Sequence, residues 1–221
     1  MTARRLAVFD VDGTLVDSAA MIVAAMTAAF RVEGLAPPPR PEILGIVGLS
    51  LPVAMARLLP DADAGLVAAL VAAYRQAFSE EAAAGPPPFY PGAREVLEAL
   101  AGRGDVALGI ATGKSRTGLD AVLRGHGVLE MFVSLQVSDD HPSKPHPAML
   151  RAAVSASGVA PRDAVMIGDT RFDVEMAQAA GVPALGVTWG FHPAEDLAAA
   201  RALVHDCPAL LPALDRLWGG T

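Results

Sequence analysis

Asp10 and Asp12 stand two residues apart in Asp10-Val11-Asp12-Gly13-Thr14, directly after the apolar run Leu6-Ala7-Val8-Phe9. If the extended backbone continued, both carboxylates would point the same way, and two carboxylates held that close repel. A divalent cation relieves the repulsion, and hard oxygen ligands favour Mg2+; a solvated Asp-Gly turn is the plainer alternative. Gly168-Asp169-Thr170-Arg171-Phe172-Asp173 repeats the acidic theme, with Asp169 suited to a helix N-cap and Asp173 one turn further on. Each acidic pair alone has an ordinary structural explanation, but together they make up a ligand set that neither holds by itself. Ala111-Thr112-Gly113-Lys114-Ser115 fails the P-loop pattern, because three residues separate Gly109 from Gly113 where that motif needs four. What remains is the Thr112 hydroxyl and backbone N–H groups, that of Gly113 among them, opening onto a helix. That is a small anion site or an ordinary strand-to-helix turn. In Ser143-Lys144-Pro145-His146-Pro147 the proline after Lys144 favours extended backbone and would hold an ammonium at the sheet's edge. All of the 17 basic residues except Lys114 and Lys144 are Arg, which points to two positions that need a compact ammonium rather than a planar fork. His141 and His146 read as loop residues, since a zinc site would need Cys or a third His nearby.

These side chains need a frame. Leu6 to Phe9, Val106 to Ala111, Ala164 to Ile167 and Ala184 to Val187 are short apolar runs without helical period, each ending in polar or glycine-rich residues. They predict buried parallel strands. Helical patterns lie between them at Ala93 to Leu100, Arg116 to Leu123, Ala148 to Ser157 and Val174 to Ala180, the last closed by Gly181. Such alternation means a parallel α/β sheet, with Asp10, Thr112 and Asp169 expected at the carboxyl ends of strands, where these sheets bind ligands. Residues 15–85 carry helical periodicity only, with Val67, Leu70, Val71, Tyr74 and Phe78 on one stripe. The proline-rich stretches at 36–41 and 85–91 cannot be helix interior, and the second marks the return of the α/β pattern. The expected division is therefore a core of residues 1–14 and 86–221 with a helical cap of residues 15–85.

With 221 residues and 52% hydrophobic content, the chain can bury a core of one or two domains, which excludes disorder and collagen. It contains no apolar span long enough for a transmembrane helix and no signal-like run near its start. Cys207 is the single cysteine, so neither an intrachain disulfide nor a cysteine zinc site is expected, and the cytoplasm is the expected compartment. A net charge of −7 argues against nucleic acid as a partner.

In their order and spacing the four pieces resemble the haloacid dehalogenase superfamily of phosphotransferases, over essentially the whole chain. Residues 10–18, Asp-Val-Asp-Gly-Thr-Leu-Val-Asp-Ser, resemble its first motif, Thr112 its second, Lys144 its third and residues 168–173 its fourth. The helical insertion resembles the small cap of the subgroup that includes phosphoglycolate phosphatases and β-phosphoglucomutases, and Gly186 to Phe191 also looks phosphoglycolate-phosphatase-like. The resemblance implies a Rossmann-like parallel sheet core with an inserted α-helical cap. It also implies a Mg2+-dependent phosphatase hydrolysing a small phosphorylated metabolite, a phosphoglycolate-like phosphomonoester, through an aspartyl-phosphate on Asp10. Asp12 would be the general acid and base. Asp10, the backbone carbonyl of Asp12 and Asp169 would hold the metal; Thr112, the N–H of Gly113 and Lys144 would bind phosphate oxygens; Asp173 would support them from outside. A β-phosphoglucomutase-like phosphotransferase, a pyrophosphatase and a non-catalytic phosphate-binding module are the alternatives. Halide displacement is disfavoured by the acid at Asp12, and phosphonate cleavage by the absence of lysine from residues 15–85. The loop from Gly45 to Pro52 is expected to face the leaving group, with Arg57 as a possible carboxylate contact. The motifs name neither the substrate nor an oligomeric state.

Overall fold

The centre of the sheet forms where the sequence runs almost wholly apolar. The computed structural model describes residues 5–83 and 85–219, and in it β1 (Arg5–Phe9) is buried from Leu6 onward. It pairs in parallel with β2 (Val106–Thr112) on one side and β4 (Ala164–Gly168) on the other. Beyond β2 lies β3 (Phe132–Val137), and beyond β4 lie β5 (Ala184–Val187) and β6 (Ala202–Val204), giving one parallel sheet of order β3-β2-β1-β4-β5-β6. Central strands covered on both faces read as unbroken apolar runs, which is why β1, β2, β4 and β5 were visible in the sequence. The strand order reverses between β1 and β4, the kind of switch point beside which such sheets bind ligands.

Alternate residues of β1 enter opposite layers. Phe9 packs with Ile110 of β2, Leu97 and Leu100 of α5 (Ala93–Ala101), Leu119 of α6 (Arg116–Gly125) and Leu214 of α9 (Leu210–Gly219). Leu6 and Val8 face the other layer, with Met149 and Leu150 of α7 (Ala148–Ser157) and Met176 of α8 (Arg171–Ala180). Truncating any of these fully buried leucines to Ala would cost about 2–5 kcal/mol.

Four helices intervene between β1 and α5: α1 (Ala19–Val32), α2 (Arg40–Leu44), α3 (Leu51–Leu58) and α4 (Ala64–Ala82). They share a separate apolar cluster built on Met26, Phe30, Ile43, Met55 and Leu70. Of the stripe read on α4, Leu70 and Val71 are buried, whereas Val67, Tyr74 and Phe78 are only partly covered. Two antiparallel connections tie this unit to the sheet. The Asp17 N–H donates to the Pro88 carbonyl (2.8 Å) and the Tyr90 N–H to the Leu15 carbonyl (2.9 Å). Phe172 of α8 inserts into the helical cluster, so the two units also meet through side chains. Among the described residues no helix is long and apolar enough to cross a membrane.

Candidate active site

Past Asp10 the extended backbone stops. The chain turns through Gly13 at φ 81°, and the Gly13 N–H donates to the Val16 carbonyl at 3.0 Å. A Cβ at Gly13 would strike the Asp169 carboxylate and the Phe191 ring, so the Asp-Gly pair is required by packing as well as by the turn. Because of this turn Asp10 and Asp12 do not point the same way, contrary to the simple strand expectation. Asp10 faces Lys144, while Asp12 faces Lys114 and Ser18.

Asp169 follows the last residue of β4 and is fully buried. The Thr14 hydroxyl donates to its Oδ1 (2.8 Å) and the Phe191 N–H to its Oδ2 (2.8 Å). The N-cap of α8 is Thr170 rather than Asp169. A capping box forms instead, in which the Thr170 hydroxyl accepts from the Asp173 N–H and the Asp173 Oδ2 accepts from the Thr170 N–H (3.1 Å) and hydroxyl (2.7 Å). The other oxygen of Asp173 accepts from Lys144 Nζ at 2.6 Å. Lys144 also lies 3.1 Å from Asp10 Oδ1, an ion pair without hydrogen-bond geometry, and Asp10 Oδ1 has no hydrogen-bond donor although it is buried.

The electrostatics follow from this crowding. Oxygens of Asp10, Asp169 and Asp173 come within 4.8 Å of one another, and one ammonium, Lys144, sits among three buried carboxylates. Burial raises the Asp10 pKa from 3.8 to about 7; Lys144 opposes the shift, and Asp173 and Asp12 add to it. Asp169 is pushed well above the usual carboxylate range by burial, then by Asp173 and Asp10. Burial alone would lower the Lys144 pKa, but Asp10 and Asp173 reverse that, and it rises. An excess of buried carboxylates, one of them with an unbonded oxygen, is the donor set that a hard divalent cation satisfies. The cluster joins Asp10 and Asp169, two of the expected ligands, with Asp173. The Asp12 side chain lies apart from it, and the expectation assigned only its backbone carbonyl.

Lys114 reaches the site as well. Its Nζ meets both oxygens of Asp12 at 3.0 Å and lies 4.8 Å from the centre of the Phe78 ring on α4. The Ser18 hydroxyl, just before α1, donates to Asp12 Oδ1 at 2.6 Å. Asp12 is thus held by one group from the sheet side and one from the entrance to the helical unit. Thr112, the last residue of β2, is buried, and its hydroxyl oxygen accepts the Lys114 N–H at 3.3 Å. Asp10, Asp12, Thr112 and Gly113 line a cleft bounded on its far side by α1 and α4.

Several expectations meet this geometry differently. The Gly45–Pro52 loop lines the cleft from Ile46 to Pro52, but Arg57 turns away and stacks on the Phe172 ring at 5.5 Å. His141 bonds Gln136 at 2.7 Å, and His146 Nδ1 accepts the Ala148 N–H at 3.3 Å, which are loop roles. Thr14, Ser18 and the ion pair of Lys114 with Asp12 were missed. The first two sit within the acidic motif itself, so their nearness in sequence was the available signal. The Asp12–Lys114 pair spans 102 positions and gave none.

The sequence profile of the haloacid dehalogenase-like hydrolase family matches residues 7–187. A relative from Dickeya dadantii, named Probable phosphatase IndB, is 37% identical over 204 residues, covering 90% of this chain and 87% of its own. A phosphoglycolate phosphatase from Rhodospirillum rubrum is 33% identical over 193 residues, covering 83% and 79%. Among solved structures, a haloacid dehalogenase-like family hydrolase from Streptococcus pneumoniae matches with a TM-score of 0.82 at 27% identity, over 96% of this chain and 99% of that one. A hydrolase from Pseudomonas syringae matches at 0.86 with 25% identity, over 96% and 98%.

Proposed function

This chain belongs to the haloacid dehalogenase-like hydrolase family, and we propose on that premise that it is a Mg2+-dependent phosphatase acting on a small phosphomonoester through an aspartyl-phosphate on Asp10. The carrying observation is the unequal way the three buried acids are held. Both oxygens of Asp169 and both of Asp173 accept hydrogen bonds from the fold, whereas Asp10 lines the cleft and its buried Oδ1 meets the Lys144 ammonium as an ion pair at 3.1 Å without a hydrogen bond. A nucleophile has to be free to form a bond, while a ligand or a support has to be fixed.

In this reading Asp10 attacks phosphorus in line, its carboxylate oxygen bonding to phosphorus as the ester P–O bond breaks. Asp12 gives a proton to the departing alkoxide and then takes one from the water that attacks the phosphorus of the acyl phosphate. Inorganic phosphate leaves and the Asp10 carboxylate is regenerated. Thr112, the N–H of Gly113 and Lys144 receive the phosphate oxygens, and Asp173 keeps Lys144 in position. Mg2+, held by Asp10, the Asp12 backbone carbonyl and Asp169, supplies charge neutralisation between the carboxylate and the phosphate dianion. Relatives named phosphoglycolate phosphatase make a short phosphorylated acid the first substrate to try, and the buried lone Cys207 suits a reducing cytoplasm.

The test is phosphate release from a panel of phosphomonoesters and pyrophosphate, with Mg2+ or with EDTA, in wild type and Asp10→Asn. Release that needs the metal and disappears in the variant is expected. Isomerisation of glucose 1-phosphate without release would instead identify a mutase, and no release from any compound would overturn the reading.

A further inference from the structure

Resting on the phosphatase reading, we infer that the preferred substrate carries an aromatic ring system on the alcohol side of its phosphoester, rather than a short acid such as glycolate. The Gly45–Pro52 loop is docked on the end of β2. The Ser50 N–H donates to the Ser143 hydroxyl at 2.8 Å, and a Cβ at Gly113 would lie 2.6 Å from the carbonyl oxygens of both Gly48 and Leu49. No space remains between that loop and the strand end it covers. Even so, the cleft beside it keeps a volume of about 790 Å³, within the range of sites that enclose a sizeable organic molecule. A two-carbon leaving group would leave most of that space to water.

The walls also disfavour a small anion. Among the lining residues the cations are Lys114 and Arg75; Lys114 is committed to both oxygens of Asp12, and Arg75 is exposed at the rim. A carboxylate on the leaving group would therefore meet no buried uncommitted cation in the cleft, with hydroxyls such as Thr117 and the exposed Arg75 left to replace its water. The inner surface offers Ile22 and Met26 from α1, Val122 from α6, and Tyr74 and Phe78 from α4. Tyr74 and Phe78 lie one helical turn apart, with ring centroids 5.8 Å apart and planes at 23°; Lys114 Nζ lies over Phe78 at 4.8 Å, and the rest of the pair gives the cleft an aromatic wall. Burial, together with the charge of Asp12, holds the Tyr74 phenol neutral, so the wall presents a hydroxyl and no charge. Planar rings pack on such a wall with a gain beyond their buried area.

The experiment compares kcat/KM for phosphoglycolate and 3-phosphoglycerate with that for a nucleoside 5′-monophosphate, pyridoxal 5′-phosphate and riboflavin 5′-phosphate, in wild type and Phe78→Ala. At least one ring-bearing ester should exceed phosphoglycolate by roughly tenfold or more, and Phe78→Ala should cut that ratio by roughly tenfold. The esters compared all have alkyl leaving groups that need a proton, so indirect damage through Lys114 or Asp12 would slow them alike and leave the ratio unmoved, and the ratio isolates the aromatic wall. Best turnover of a short acid, or an unchanged ratio in a folded Phe78→Ala protein, overturns the inference while the phosphatase reading stands. Release from none of the esters removes that reading as well.

Discussion

Lys114 and Lys144 serve different carboxylates of one acidic site, Lys114 from the wall of the cleft and Lys144 from full burial. Lys144 is buried between Asp10 and Asp173, and Lys114 joins Asp12 to the Phe78 ring. If Asp12 moves protons, Lys114 is its positioning residue, and Lys114→Met should lower kcat by up to about a hundredfold with a smaller change in KM. Lys114→Arg should not restore it, because the larger planar guanidinium does not fit the nearly buried space between Asp12 and the Phe78 ring that the compact ammonium fills. Steady-state kinetics on both variants, with the pH profile of kcat, would separate this role from a merely structural one. For Asp12→Ala the expected loss is roughly 10²- to 10⁴-fold with an alkyl ester and much less with 4-nitrophenyl phosphate, whose leaving group needs no proton. Equal losses on both esters would contradict the proton-transfer role. The positions of Asp10, Thr112, Lys144 and Asp169 were legible because each sits at or just past a strand end or beside a proline, and that of Asp173 because it falls in the first turn of a helix, where short-range rules apply. The partners of Asp12 were not, since the turn at Gly13 swings it away from Asp10 toward groups distant in the chain.

At the scale of elements, apolar runs with polar ends located four of the six strands. The two that were missed are edge strands. Phe132–Val137 is half exposed and mixes Ser and Gln into its run, and Ala202–Val204 spans three residues, too few for any periodicity to show. The apolar pattern of α8 shows only from Val174, and the cap read at Asp169 falls one residue later, at Thr170, where the capping box with Asp173 opens the first turn. Contact between elements yields a further prediction. Gly113 ends the β2 turn directly under the cap loop, and Gly113→Ala would press a methyl group on the carbonyls of Gly48 and Leu49. Backbone has little room to yield, so the loop should lift. The expected result is a loss of roughly tenfold or more in kcat/KM together with faster hydrogen exchange at Leu49 and Ser50. Unchanged exchange at those amides would show that the docking tolerates the methyl group.

For the whole molecule, the buried acids couple folding to pH and metal. Without metal, the folded state keeps on Asp10 a proton that an unfolded chain releases near pH 3.8, and gives it up only at about pH 7. Asp169 is shifted in the same direction. A raised carboxylate pKa means that this contribution to stability is present at acid pH and fades as pH rises toward neutrality. A divalent cation takes the place of those protons, so Mg2+ should raise the melting temperature more at pH 8 than at pH 5. At a hundredfold excess over its Kd it would add about 2.7 kcal/mol. Thermal melts with Mg2+ and with EDTA at both pH values test this, and equal shifts would refute it. The burial of both lysines has a practical consequence as well, because the surface of the described residues then carries almost no lysine amine for a reagent or a protease to find. Pro145 follows Lys144 and protects that bond, which leaves Lys114–Ser115 as the main target of a lysine-specific protease. The Lys114 side chain is only 8% exposed and is roofed by Phe78. The rate of cutting there would count how often the roof lifts, so a gel showing two fragments could follow substrate or metal closing the molecule, with no label attached.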